Sequence, residues 1–146
     1  MSFGAGEGGR VVKYHTTDAH TGIIHGLAYS DALNLVATTG HDGFTRVWDM
    51  RSIGEGVSQI INLNQIGSSV CWNNSDYCNE VIVGLEDGNL NIYDIRNCSY
   101  VMCTFSLSPA RIRKVITVDN KSNVLLCGLE VPRLTISCCF TASNYT

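Results

Sequence analysis

The chain has 146 residues, 45% of them apolar and 16% charged, with a formal charge of −3 at neutral pH. That is the make-up of one globular domain: it excludes wholesale disorder, and 10 Lys and Arg against 13 Asp and Glu leave no basic field to hold nucleic acid. No apolar run reaches the roughly 18 residues of a membrane span, and seven cysteines without a secretory leader predict reduced thiols and a place in cytoplasm or nucleus.

In chain order, residues 1–10 read as a flexible Gly-rich leader, since Gly4, Gly6, Gly8 and Gly9 neither follow a strand nor open a helix. Val11–Tyr14 is a first short strand. Ile24–Tyr29, Leu35–Thr39, Phe44–Asp49 and Gln59–Asn62 then form a set of four. Asp42-Gly43 joins the second and third, and predicts a tight primed hairpin turn because Gly supplies a positive φ freely. A second set repeats the order: Ser69–Trp72, Val81–Leu85, Leu90–Asp94 and Tyr100–Thr104, with Asp87-Gly88 at the hairpin. Ile112–Val118 and Val124–Gly128 open a third set. Its pattern stops after Glu130, where Val131-Pro132 replaces Asp-Gly and Ser137-Cys138-Cys139-Phe140 replaces Tyr93-Asp94-Ile95-Arg96. Either a foreign sequence is joined to a blade cut in half, or the last unit has degenerated.

The repetition is explicit. Val36–Arg51 laid over Val81–Arg96, an offset of 45 residues, keeps Val36/Val81, Asp42/Asp87, Gly43/Gly88, Asp49/Asp94 and Arg51/Arg96 identical. Trp48/Tyr93 and Val47/Ile92 keep their chemical type. A period in this range marks a stacked or radial array whose units cannot bury their own faces.

Four strands per period, with Asp-Gly before a strand ending Val47-Trp48-Asp49, resemble a WD40 repeat, one blade of a β-propeller. The resemblance implies an all-β fold, an incomplete WD40 β-propeller of about two and a half to three four-stranded antiparallel blades. It covers about residues 11 to 130 and implies a partial propeller over 11–137, with blades near 20–63, 65–106 and 111–137, leaving 138–146 as a divergent tail. It also implies a buried hydrogen-bond network of His20, Thr38 (or Thr39), Asp42 and Trp48, with Asp42, Gly43, Asp87 and Gly88 setting the blade turns. In the second blade Tyr93 replaces Trp48 and Val83 replaces Thr38, so apolar packing should hold it. Val11–Tyr14 looks like a strand used to close a ring. With too few blades for closure, a truncated isoform or fragment is expected, whose open blade edges invite self-association.

Other chemistry competes poorly. His15, His20 and His25 are five residues apart, a spacing that alternates faces on a strand and does not converge on zinc. Cys71/Cys78, Cys98/Cys103 and Cys138-Cys139 lack the spacing of zinc knuckles, and Trp72 reads as core. His20 and Asp42 with Thr38 or Ser30 could make a hydrolase triad, but Gly-x-Ser-x-Gly is absent. The expected function is therefore a non-enzymatic scaffold for other proteins, without cofactor, metal, nucleic acid or membrane. Arg51 and Arg96, in two Asp-x-Arg boxes, resemble the motif with which substrate receptors dock onto cullin-RING ubiquitin ligases. That is the first alternative; a metal- or thiol-dependent enzyme is the second.

Overall fold

The computed structural model describes residues 19–73 and 79–117, together with the strands 124–129 and 134–138, which are described by backbone only apart from Gly128. The leader 1–10, the strand expected at Val11–Tyr14, Val131-Pro132 and the tail beyond Cys138 lie outside the described residues. Eleven strands and one turn of 3-10 helix, Ile53–Glu55, make up the described regular structure.

β1 (Ile24–Ser30), β2 (Leu35–Gly40), β3 (Phe44–Asp49) and β4 (Gln59–Asn62) pair in sequence order as one antiparallel sheet. β5 (Gly67–Trp72), β6 (Glu80–Leu85), β7 (Asn89–Asp94) and β8 (Cys103–Ser106) form the second. β9 (Ile112–Thr117), β10 (Val124–Leu129) and β11 (Leu134–Cys138) form a third, three-stranded sheet. The chain is therefore all-β, two four-stranded meanders and a third sheet, in keeping with a partial propeller. The strand expected over Tyr100–Thr104 is displaced to Cys103–Ser106, because Met102 N–H bonds Ile92 O at 2.8 Å and Cys103 pairs with Ile92.

Both Asp-Gly hairpins depart from the primed turn. Only the glycines take positive φ, 81° at Gly43 and 85° at Gly88, and the preceding aspartates do not. Gly43 N–H bonds Gly40 O, and Gly88 N–H bonds Leu85 O, both at 3.3 Å. This is a turn followed by a left-handed glycine, the longer of the common hairpin solutions. Each aspartate instead accepts from the main chain two residues on: Phe44 N–H to Asp42 at 3.2 Å, Asn89 N–H to Asp87 at 2.9 Å.

The sheets stack face to face. Leu35, Ala37, Val47 and Ile61 of the first sheet meet Val70, Trp72, Val81, Val83 and Tyr93 of the second in one apolar cluster. Cys71, Ile82, Leu90 and Ile92, from the other side of the second sheet, meet Ile112 and Val115 of β9. Period-2 alternation thus sends successive residues of the second sheet into two different interfaces, and every residue of β5 and β6 is buried. Trp72 donates its indole N–H to Ala28 O across the first interface at 3.1 Å. The outer face of the first sheet is different: register places Leu27, Tyr29 and Ile60 on the side of Trp48, and they are 63%, 51% and 51% exposed.

Each inner strand opens with a register break. The bulged residues are His25 in β1, Ser68 in β5 and Arg113 in β9. A bulge re-aims the side chain it carries.

Candidate functional site

Four segments bring the polar residues of the first sheet together. His20 precedes β1, Thr38 lies on β2, Asp42 occupies the β2–β3 turn and Trp48 lies on β3. Thr38 pairs with Arg46 and Val36 with Trp48, so Thr38 and Trp48 share a face. Trp48 donates Nε1–H to Thr38 Oγ1 at 3.0 Å. His20 Nε2 lies 2.9 Å from the same oxygen, and His20 Nδ1 lies 2.9 Å from Asp42 Oδ1. The side chains of His20 and Asp42 are 0% and 4% exposed.

The donors run in one direction. With the imidazole proton on Nδ1, indole gives to hydroxyl, hydroxyl to Nε2, and Nδ1–H to the carboxylate. Arg46 complicates this, since its Nη1 is 2.8 Å from both Asp42 Oδ2 and His20 Nδ1. A carboxylate is the stronger acceptor for both groups, and the opposite tautomer would set the Nδ1 lone pair against Asp42 Oδ1. Burial pushes the Asp42 pKa up, but hydrogen bonds from His20, Arg46 and the Thr21 and Phe44 amides hold it well below the usual carboxylate range.

Thr39 faces the opposite way, accepting from Thr45 Oγ1 at 2.9 Å, so Thr38 is the network residue. The order Asp42–His20–Thr38 matches the geometry of a hydrolase triad, but Thr38 is only 6% exposed and its oxygen is taken by Trp48. No carbonyl substrate has an approach to it. Ser30 accepts from Leu33 N–H at 3.3 Å and is no closer to such a role.

In the second sheet the same positions carry a smaller network. Asn91 donates Nδ2–H to the Tyr93 hydroxyl at 3.0 Å, and Thr104 donates to Asn91 Oδ1 at 2.8 Å. Asp87 takes bonds from Asn89 and from Gln65 Nε2, the latter at 3.0 Å.

Arg51 and Arg96 lie just past β3 and β7, 68% and 70% exposed. Each guanidinium grips the aspartate two residues back through Nε and Nη2, Arg51 on Asp49 and Arg96 on Asp94. The hydrogen bonds from Arg51 hold Asp49 at about 2, and those from Arg96 lower Asp94. Both forks are thus closed on their own strand ends.

Among the described residues no three His, Cys, Asp or Glu side chains gather as a metal site. His20 and His25 engage different partners, and His15 lies outside the described residues. Cys71 is buried; Cys98 gives its thiol proton to Gln59 Oε1 at 3.1 Å, with burial and then Asp94 raising its pKa, the reverse of an activated thiol. Cys78 and Cys139 lie outside the described residues.

Sequence reasoning missed Arg46, Asn91 and Thr104. The signal for Arg46 was present: counting back by two from Trp48 on one strand face reaches it directly.

A family model described as WD domain, G-beta repeat matches residues 12–49. Among curated proteins, the chain is 37% identical over 118 residues to Dynein axonemal assembly factor 10 of Dictyostelium discoideum, covering 73% of this chain and 31% of that protein. It is 31% identical over 84 residues to a Lodderomyces elongisporus protein named Probable cytosolic iron-sulfur protein assembly protein 1, covering 52% of this chain and 19% of that one. The chain therefore spans less than a third of the length of either relative.

Proposed function

The chain is a WD40-repeat protein whose sheets are blades of a β-propeller, and we propose that it serves as a non-enzymatic scaffold, in cytoplasm or nucleus, holding protein partners during the assembly of larger complexes. One observation carries the reading: the groups that could do chemistry, His20, Asp42 and Thr38, are buried and consumed in holding one blade together. What remains at the surface is loops and rim on a stiff support, the arrangement that suits recognition. The names of both relatives, each an assembly protein, support it.

Purification of the tagged full chain from cells under mild cross-linking should recover a defined set of proteins in near-stoichiometric amount. Recovery should fall when Asp42→Asn breaks the network. A chain that purifies alone overturns the proposal.

The outer face of the first blade offers a surface for association. Leu27 and Tyr29 on β1 and Ile60 on β4 are exposed apolar side chains flanking a patch of one sheet face whose reverse is sealed. We propose that a second copy covers this patch when the chain is isolated. Sedimentation should show concentration-dependent association that Leu27→Glu with Ile60→Glu abolishes; a monomer at every concentration excludes it.

A ubiquitin-ligase receptor is the second reading. It is favoured by Arg51 and Arg96 standing exposed at equivalent places on successive blades, and an adaptor would have to outcompete Asp49 and Asp94 for them.

A further inference from the structure

Outside the buried network, three blades contribute to a second polar cluster. His25 is the bulged residue of β1, and Arg111, immediately before β9, brings Nη2 to 3.3 Å from its Nδ1. His41, from the first blade's turn, packs its ring on His25 with centroids 5.8 Å apart and planes tilted by 56°. Glu86, at the second blade's turn, is the nearby negative charge. Residues 86 positions apart meet here, so the cluster exists only when the blades are stacked.

Two atoms in it are unsatisfied. His25 Nε2 and Arg111 Nε are buried and have no hydrogen-bond partner among the described residues. Because His25 Nδ1 faces an arginine donor, the neutral ring carries its proton on Nε2. Burial, followed by the charges of Arg111 and His41, lowers the pKa of His25 against the pull of Glu86, and so favours this neutral form. Both orphans are therefore N–H donors, and the group that complements them is one that only accepts. Both residues are partly exposed, so the cluster reaches the protein surface.

The surrounding charge narrows the ligand. Three of the chain's ten Lys and Arg residues fall within Arg111–Lys114, and Arg113 and Lys114 are exposed, although the chain as a whole is negative. With Glu86 already close, a singly charged carboxylate suits the cluster better than a doubly charged phosphate. We propose that His25 and Arg111 bind a carboxylate on an acidic stretch of a partner polypeptide, its oxygens accepting from Arg111 Nε–H and His25 Nε2–H. The proposal rests on the scaffold reading for the partner being a protein, and names where and by what chemistry that partner is held.

The test uses the full chain and a fluorescein-labelled oligoglutamate peptide followed by anisotropy. Binding should saturate, weaken about tenfold or more in Arg111→Gln and in His25→Phe, and stay unchanged in Arg51→Ala, a more exposed arginine outside the cluster. Equal weakening by Arg51→Ala overturns the proposal, as does tighter competition by a phosphoserine peptide or by an RNA oligonucleotide. Nuclear magnetic resonance of the unmutated chain covers the case in which a variant fails to fold. The ring protons of His25 should shift during the titration, and a ring that stays still at saturating peptide refutes the site. Should peptide fail to bind while the tagged chain still recovers its partners, this site is wrong and the scaffold reading stands; loss of both removes both.

Discussion

Trp48 and Tyr93 occupy equivalent places in neighbouring sheets, yet their polar atoms do opposite things: the Trp48 indole donates to Thr38 Oγ1, while the Tyr93 hydroxyl accepts from Asn91 Nδ2, each at 3.0 Å. Trp48 lies on the outer side of the first sheet, whereas Tyr93 is sealed between the first and second. The first blade is consequently held on that side by a charged network, the second by apolar contact with a short neutral one.

Asp42 should make the first blade acid-sensitive. A carboxylate held low when folded and near 3.8 when unfolded contributes stability that is complete above that value and is lost as pH falls through it toward the folded value. Urea unfolding of the full chain should therefore weaken steeply below about pH 4. Asp42→Asn should flatten that dependence and cost about 2–4 kcal/mol at neutral pH, because Arg46 and His20 lose a buried acceptor.

Thr38→Val keeps the volume of the side chain and removes the oxygen that joins indole to imidazole. Two buried polar atoms, Trp48 Nε1 and His20 Nε2, lose their partner, for a cost of roughly 2–4 kcal/mol. Thr39→Val, which strands only the Thr45 hydroxyl, should cost about 1 kcal/mol. Chemical denaturation of the two variants side by side checks the assignment of Thr38 over Thr39, and equal costs would contradict it.

The two turn glycines should respond unequally to alanine. At Gly43 the nearest atom to a new Cβ is Gln65 O at 3.3 Å, so Gly43→Ala meets mainly the left-handed φ, about 1 kcal/mol. At Gly88 the Cβ would overlap the Ser108 carbonyl, which cannot swing aside as a side chain can. Gly88→Ala should cost roughly 3 kcal/mol or more, and thermal unfolding of both variants would show it.

Replacing Arg51 and Arg96 together by alanine should leave the unfolding midpoint where it is, since both pairs are exposed and each joins residues two apart on the same strand end. If the ligase reading is right, the same double variant should lose co-purification with the ligase adaptor; unchanged recovery removes that reading.

Strand pairing was legible because alternation and Asp-Gly are local signals, and the network of the first blade was implied by the resemblance to a WD40 repeat. Arg46 was overlooked although a step of two back from Trp48 places it on the same face, because a charged residue between Thr45 and Val47 reads as solvent-facing until the register shows it beside Asp42. The displaced β8 follows from its pairing with β7, which depends on a neighbour rather than on its own propensity. The primed turn was misjudged because Asp-Gly also serves a turn in which glycine alone is left-handed. His25 and Arg111 were beyond reach from sequence, since their meeting requires three sheets already in place.

The second sheet, buried on both sides, has no stability of its own to fall back on: β5 and β6 keep out water only while a companion lies against each flank. Opening either interface exposes half of its apolar residues at once, so melting at one end is communicated to the other through this middle layer. Its amides should therefore exchange the slowest among the described strands, and a nick in either flanking sheet should speed their exchange.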